Sequence, residues 1–207
     1  RIRDTKQTPD GKQVTYHPGI VFSAINEHGE VTASQTISLN PATANKVNKD
    51  TVGVVKRSRG QVKGSLAPIQ IGSSDQVILA EGPETALSLR EAAPDASIYV
   101  TLGNISNLQH AAWVAKKHNT DKVYVAMDND PDNPRPMQGI EKAARVFKHE
   151  YNITTYVAKP ELPDGSKCDF NDVLLKLGKA AVKEQLNNWH ELDIEQLKSK
   201  AEIRNGI

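Results

Sequence analysis

Four short, mostly apolar runs punctuate the chain from residue 77 onward, at 77–80, 97–101, 122–127 and 153–158. Runs of this length, bounded by turn residues, are the pattern of strands buried on both faces. Between them, apolar residues recur at helical spacing. Ala86, Leu87 and Leu89 stripe residues 84–92; Leu108, Ala111, Ala112 and Val114 stripe 107–117; Ile140, Ala143, Ala144, Val146 and Phe147 stripe 139–151. Alternating strand and helix predicts an α/β fold, a mainly parallel four-stranded sheet with helices on both faces. Beyond the turn at Pro163-Asp-Gly, a loop at 167–172 leads into a helix, and residues 179–188 and 194–201 read as further helices.

The first 70 or so residues carry a different pattern. Residues 19–25 read as a strand, Asn26 to Glu30 as a turn, and 31–39 as the returning strand of a hairpin. Residues 40–45 break the pattern, 51–56 offer another short strand, and 56–63 form a basic, glycine-containing loop. Residues 1–15 are polar, with the character of a frayed or loosely paired segment. The expected organisation is a small antiparallel β unit over 1–72, an α/β domain over 73–180 and a helical extension over 181–207.

Composition narrows the class without naming a partner. The chain has 207 residues, 38% hydrophobic and 25% charged, with a net charge of +1. A balance so near neutral makes only local clusters of lysine and arginine informative about a polyanion. The single cysteine, Cys168, excludes an internal disulfide and a CxxC zinc site. No apolar span suits a membrane, and the composition fits a cytoplasmic protein. A start at Arg1 fits a segment of a longer polypeptide. The six histidines lack metal-ligand spacing and read as surface residues, and Trp113 and Trp189 as packing anchors. No G-x-x-x-x-G-K-[ST] loop is present, so ATP-driven unwinding is not expected.

The chemistry lies where the apolar runs stop. The first ends in Glu81-Gly82-Pro83-Glu84, the third in Asp128-Asn129-Asp130. Carboxylates at strand ends fall on the edge of an open α/β sheet where ligands bind. Residues two apart in extended chain point the same way, so Asp128 and Asp130 face one place. Glu81, Asp128 and Asp130, about 50 residues apart in sequence, would meet on neighbouring strands. Their mutual repulsion calls for a cation, and hard oxygen donors suit Mg2+. Gly82 would allow a tight turn and close approach of a ligand, with the following helix aimed at the same edge. Glu84 fits equally well as a favourable first-turn residue. Asp169-Phe170-Asn171-Asp172 enters a helix, where one aspartate is explained by capping, and Lys167 stands beside it.

Glu81-Gly82, Asp128-Asn129-Asp130 and the segment holding Lys167, Asp169, Asn171 and Asp172, with Gly103 after the second strand, together resemble a Toprim domain over roughly residues 75–180. Within that family the pattern is most similar to the Toprim modules of phage and plasmid primases, and to modules fused to conjugative relaxases. The resemblance implies nucleotidyl or phosphoryl transfer on nucleic acid, with Mg2+ as cofactor and Mn2+ able to substitute. It implies Glu81 as general acid/base and also as metal ligand, Asp128 and Asp130 as the metal pair, and Asp169 and Asp172 as further acids at the metal. Single-stranded DNA and nucleotides would be the partners, together with other domains of a longer polypeptide. Lys56, Arg57, Arg59 and Lys63 would supply a positive track for nucleic acid, with Lys167 as a phosphate contact. Two departures stand out: Thr85 occupies a position where bacterial-type primases carry an aspartate, and Cys168 separates Lys167 from Asp169. A nuclease acting through the same acids, or a module that binds nucleic acid without catalysis, are the alternatives.

Overall fold

The computed structural model describes residues 1–52 and 54–194; most of the helix expected at 194–201 lies outside them. The four apolar runs become β7 (Val77–Ala80), β8 (Ser97–Val100), β9 (Lys122–Ala126) and β10 (Thr154–Ala158). All four residues of β7 and of β8 are buried, as strands covered on both faces must be. The sheet they build is larger than the sequence pattern indicates. With β6 (Ala67–Gln70) and β11 (His190–Glu191) it has six strands in the order β11-β10-β9-β7-β8-β6, the four central ones parallel. Antiparallel edges are added by β6 on β8 and β11 on β10. These edge strands are too short to announce themselves, four residues with a proline among them and two polar residues.

Helices cover both faces. On one side lie α2 (Pro83–Ala92), α5 (Phe170–Leu177) and α6 (Lys179–Leu186), around a core containing Ile78, Leu89, Ile98, Phe170 and Val182. On the other lie a 3-10 helix (Ile105–His110), α3 (Ala112–Lys117) and α4 (Arg135–Tyr151), packing Leu108, Val114, Ile140 and Phe147 against Leu79, Tyr99 and Val125. The continuous helix expected at 107–117 is thus a 3-10 turn followed by a short α-helix. His118 at its end is not a plain surface residue: its Nε2 and the Tyr99 hydroxyl share a 2.8 Å hydrogen bond.

The N-terminal unit is antiparallel, as the pattern predicts, but three of its details differ. Residues 1–15 are not frayed: β1 (Ile2–Thr8) and β2 (Gly11–His17) pair as a hairpin across Pro9-Asp10. Of the strand expected at 51–56, α1 (Lys49–Val52) occupies the first part, and Val54 and Val55 lie outside any strand. The basic segment is not a loop either: β5 (Lys56–Gly60) pairs with β4 (Val31–Ser38), which pairs with β3 (Gly19–Ile25). An antiparallel bridge between Ile25 and Leu66 joins this sheet to the larger one. No helix among the described residues is long and apolar enough to cross a membrane.

Candidate active site

Strand β7 lies between β8 and β9, so the chain leaves β7 toward one side and returns to its other side at β9. The carboxyl edge between β7 and β9 is therefore the point where strand order reverses, the crevice that open α/β sheets offer to ligands. Ala80 pairs with Ala126 in register, so Glu81 and Asp128 leave adjacent strands at nearly the same level. Both are half-buried.

A second contact brings in the 167–172 segment. Asn129 and Cys168 form an antiparallel bridge, with N–H to O distances of 2.8 and 3.1 Å in the two directions. Antiparallel pairing then sets Asp130 across from Lys167 and Asp128 across from Asp169. Side chains alternate, so Asn129 and Cys168 turn inward, where each bonds the Pro160 carbonyl, and their neighbours turn out to the site. The residue separating Lys167 from Asp169 is thus what puts both on the same face. Lys167 forms a salt bridge with Asp130.

The electrostatics follow from this geometry. Burial, with Asp169 and Glu81 as negative neighbours, pushes the Asp128 carboxyl up to about 6. The Thr85 hydroxyl donates to Asp128 Oδ1 at 3.4 Å, and Lys56 opposes the shift from farther away. Burial likewise raises Glu81 above the usual carboxylate range, against the pull of Lys56. Glu84 goes the other way. Burial would raise it, but ion pairs with Lys56 at 2.8 Å and Lys46 at 3.0 Å outweigh that and lower it. Glu84 is therefore more than a helix-start residue, since it ties α2 to the N-terminal unit. Lys46, an exposed residue of a loop, carries no mark of this in the sequence.

The remaining candidates divide. Asp169 caps α5: its Oδ1 accepts from the Asp172 amide at 2.8 Å, and Asp172 Oδ2 accepts from the Asp169 amide at 3.0 Å. Capping thus uses one oxygen of each aspartate, not one aspartate alone. Asn171 accepts from Ser88 Oγ at 3.3 Å and links α5 to α2. Gly82 has φ of −112°, open to any residue, so the turn itself does not require glycine. Gly103, at φ +77°, does occupy the left-handed region, and its amide donates to the Glu81 carbonyl at 2.8 Å.

The basic residues do not form one track. Lys56 faces the acids through Glu84, whereas Arg57 turns to the buried Asp4 at 3.6 Å on the opposite side of β5. Arg59 is exposed. Lys63 lines a separate cleft of about 660 Å3 with Trp113, Lys116 and Tyr151, which Glu81, Asp128, Asp130 and Asp169 do not border.

Among the described residues, no three histidine, cysteine, aspartate or glutamate side chains stand close enough to hold one ion as they are placed. The donor chemistry nevertheless fits a hard divalent cation. Glu81, Asp128 and Asp169 offer only carboxylate oxygens, and the half-buried Asp128 faces negative neighbours, opposed by the Thr85 hydroxyl and a more distant lysine.

Comparisons with known proteins bear on the family and the fold. The sequence profile described as Toprim domain matches residues 76–180. The fold is similar to the Aquifex aeolicus primase zinc-binding and RNA polymerase domains, with 17% identity and a TM-score of 0.58, covering 91% of this chain and 45% of that one. It is similar to a DnaG primase catalytic domain bound to single-stranded DNA, with 15% identity and a TM-score of 0.61, covering 93% and 58%. The catalytic core of E. coli primase gives 13% and 0.59, covering 97% and 61%. The chain therefore spans about half to three fifths of the length of these structures. Comparison with curated proteins gave no match.

Proposed function

Because this chain belongs to the Toprim domain family, we propose that its acid edge holds Mg2+, with Mn2+ able to substitute, and performs primase-like nucleotidyl transfer on nucleic acid. The observation that carries the reading is the placement of Asp128, half-buried at the strand-order reversal beside Glu81 and Asp169. Glu81, Asp128, Asp130 and Asp169 would hold the cation, Asp130 exchanging its pairing with Lys167 for it, with Asp172 fixing Asp169 from the helix cap. The cation supplies neutralisation of charge developing on the phosphate oxygens. Glu81, held above the usual carboxylate range, takes the proton from an attacking 3′-hydroxyl or returns one to a leaving group. Lys56 and Arg59 would guide the strand, and Lys167, once released, would meet a phosphate. Single-stranded DNA, nucleotides and further domains of a longer polypeptide are the partners this reading assigns, in the setting of plasmid or phage replication or conjugative transfer.

Incubating the chain with single-stranded DNA, labelled ribonucleotides and Mg2+ or Mn2+, beside Asp128→Ala, tests it. Template-dependent oligonucleotides that the variant fails to make support primase activity. Shortened DNA would assign a nuclease instead. Metal-independent DNA binding with neither product overturns both enzymatic readings and leaves a binding module.

A further inference from the structure

Leu102 and Gly103, one residue beyond β8, have φ of +59° and +77°, two consecutive residues in the left-handed region. Glycine enters that region freely, but leucine is crowded there by its own Cβ. Such a conformation persists only where the surroundings over-determine it. The Leu102 side chain is buried in the core that also takes Ala33 of β4 and Ala80 of β7. Its carbonyl accepts a 2.8 Å hydrogen bond from Gln35 Nε2.

Gln35 lies on β4, the central strand of the N-terminal sheet, and is 4% exposed. Its Nε2 also donates to Ser58 Oγ at 3.1 Å, while its Oε1 is buried without a partner. Exchanging the two ends of the amide would set oxygen against the Leu102 carbonyl, so chemistry fixes the orientation. Methionine would fill similar space without burying an unpaired acceptor, so packing alone does not account for an amide here. From Leu102 the connection runs on to the site. The Gly103 amide donates to the Glu81 carbonyl at 2.8 Å, and Thr101 Oγ1 donates to the same oxygen at 3.4 Å.

We propose that Gln35 is a positioning residue: from the N-terminal unit it holds the left-handed turn at Leu102 and Gly103, and through that turn the backbone of Glu81. The N-terminal sheet then serves as part of the support of the acid edge, besides any role in holding nucleic acid. This inference rests on the role of Glu81 proposed above.

The test compares the 207-residue chain with Gln35→Met, and with Ser58→Ala as a control that removes only the second partner of the amide. Three quantities are read: amide hydrogen exchange at Gly103, Mn2+ affinity by electron paramagnetic resonance, and steady-state oligonucleotide synthesis. Gln35→Met is expected to speed Gly103 exchange at least tenfold, weaken Mn2+ binding at least threefold and lower kcat about tenfold, with nucleotide KM within twofold. Ser58→Ala should stay within twofold of the parent on all three. A kcat loss matched by a loss of folded protein, with Gly103 exchange unchanged relative to Thr154, overturns the proposal. So does faster Gly103 exchange with kcat and Mn2+ affinity both unchanged. If the parent makes no product, the proposed activity falls by itself, and Gly103 exchange with Mn2+ affinity decides the coupling: both must change for it to stand.

Discussion

Asp128 is half-buried among like charges, and the cost of ionising it there has a definite pH signature. With its carboxyl pushed up to about 6 from an ordinary 3.8, the folded chain binds more protons than the unfolded chain between those values. Stability contributed by this group is therefore greatest at low pH and declines as pH rises from about 4 to about 6. Asp128→Asn removes the penalty while keeping the shape. The metal-free variant should be more stable than the parent at pH 7.5 by about 1–3 kcal/mol, or about 2–10 °C in Tm for a chain of this size. Melting curves across pH 4–8 in EDTA check this; superimposable profiles for parent and variant would show that Asp128 is not strained. Much of this site is legible in sequence, because Glu81, Asp128 and Asp169 all sit where an apolar run or a turn stops. The Thr85 hydrogen bond and the Lys46 ion pair are not, since each depends on side-chain placement across 43 and 38 residues respectively.

The elements themselves show why some were readable and others not. Strands β7 to β10 reveal themselves because burial on both faces requires uninterrupted apolar text. Strand β5, Lys56 to Gly60, has no apolar residue at all; its extended form comes from backbone pairing with β4, which side-chain pattern cannot report. The hairpin β1–β2 did carry a signal, the turn text Pro9-Asp10-Gly11, which outweighs the polar character of its strands. Helix α5 raises a different issue, because Asp169 both caps it and burdens Asp128. Asparagine caps as well as aspartate, so Asp169→Asn keeps the cap and removes the repulsion. It should raise Tm in EDTA yet weaken Mn2+ affinity. Asp172→Ala, which loses half of the capping box and lies outside the charges that raise Asp128, should lower stability by about 0.5–1 kcal/mol. Thermal melts in EDTA decide between the two roles: a destabilised Asp169→Asn would mean that the cap needs its charge.

At the scale of the whole molecule, the question is what joins the N-terminal sheet to the larger one, since the acids lie on one and several basic residues on the other. Three kinds of contact meet at the joint. Ala24, Ala33 and Phe22 pack into the core beside Ala80 and Ile98. Glu84 pairs with two lysines whose side chains are 51% and 39% exposed. Asn107, 2% exposed, accepts from the Gly64 amide at 2.7 Å and donates to the carbonyls of Val62 and Ser65 at 3.0 and 2.6 Å. Exposed ion pairs contribute little, about 0–1 kcal/mol, because water and salt screen them. A buried amide is different: its removal strands an N–H and two carbonyls, each costing about 1–3 kcal/mol if no water replaces it. Asn107→Ala should therefore destabilise the chain by about 2–4 kcal/mol, and Glu84→Gln by no more than about 1 kcal/mol. Urea denaturation read by tryptophan fluorescence gives both values, and raising the salt should shrink only the Glu84 effect. If Glu84→Gln proves the more damaging, the two sheets are held together by charge, and a polyanion approaching Lys46 and Lys56 would loosen the joint as it binds.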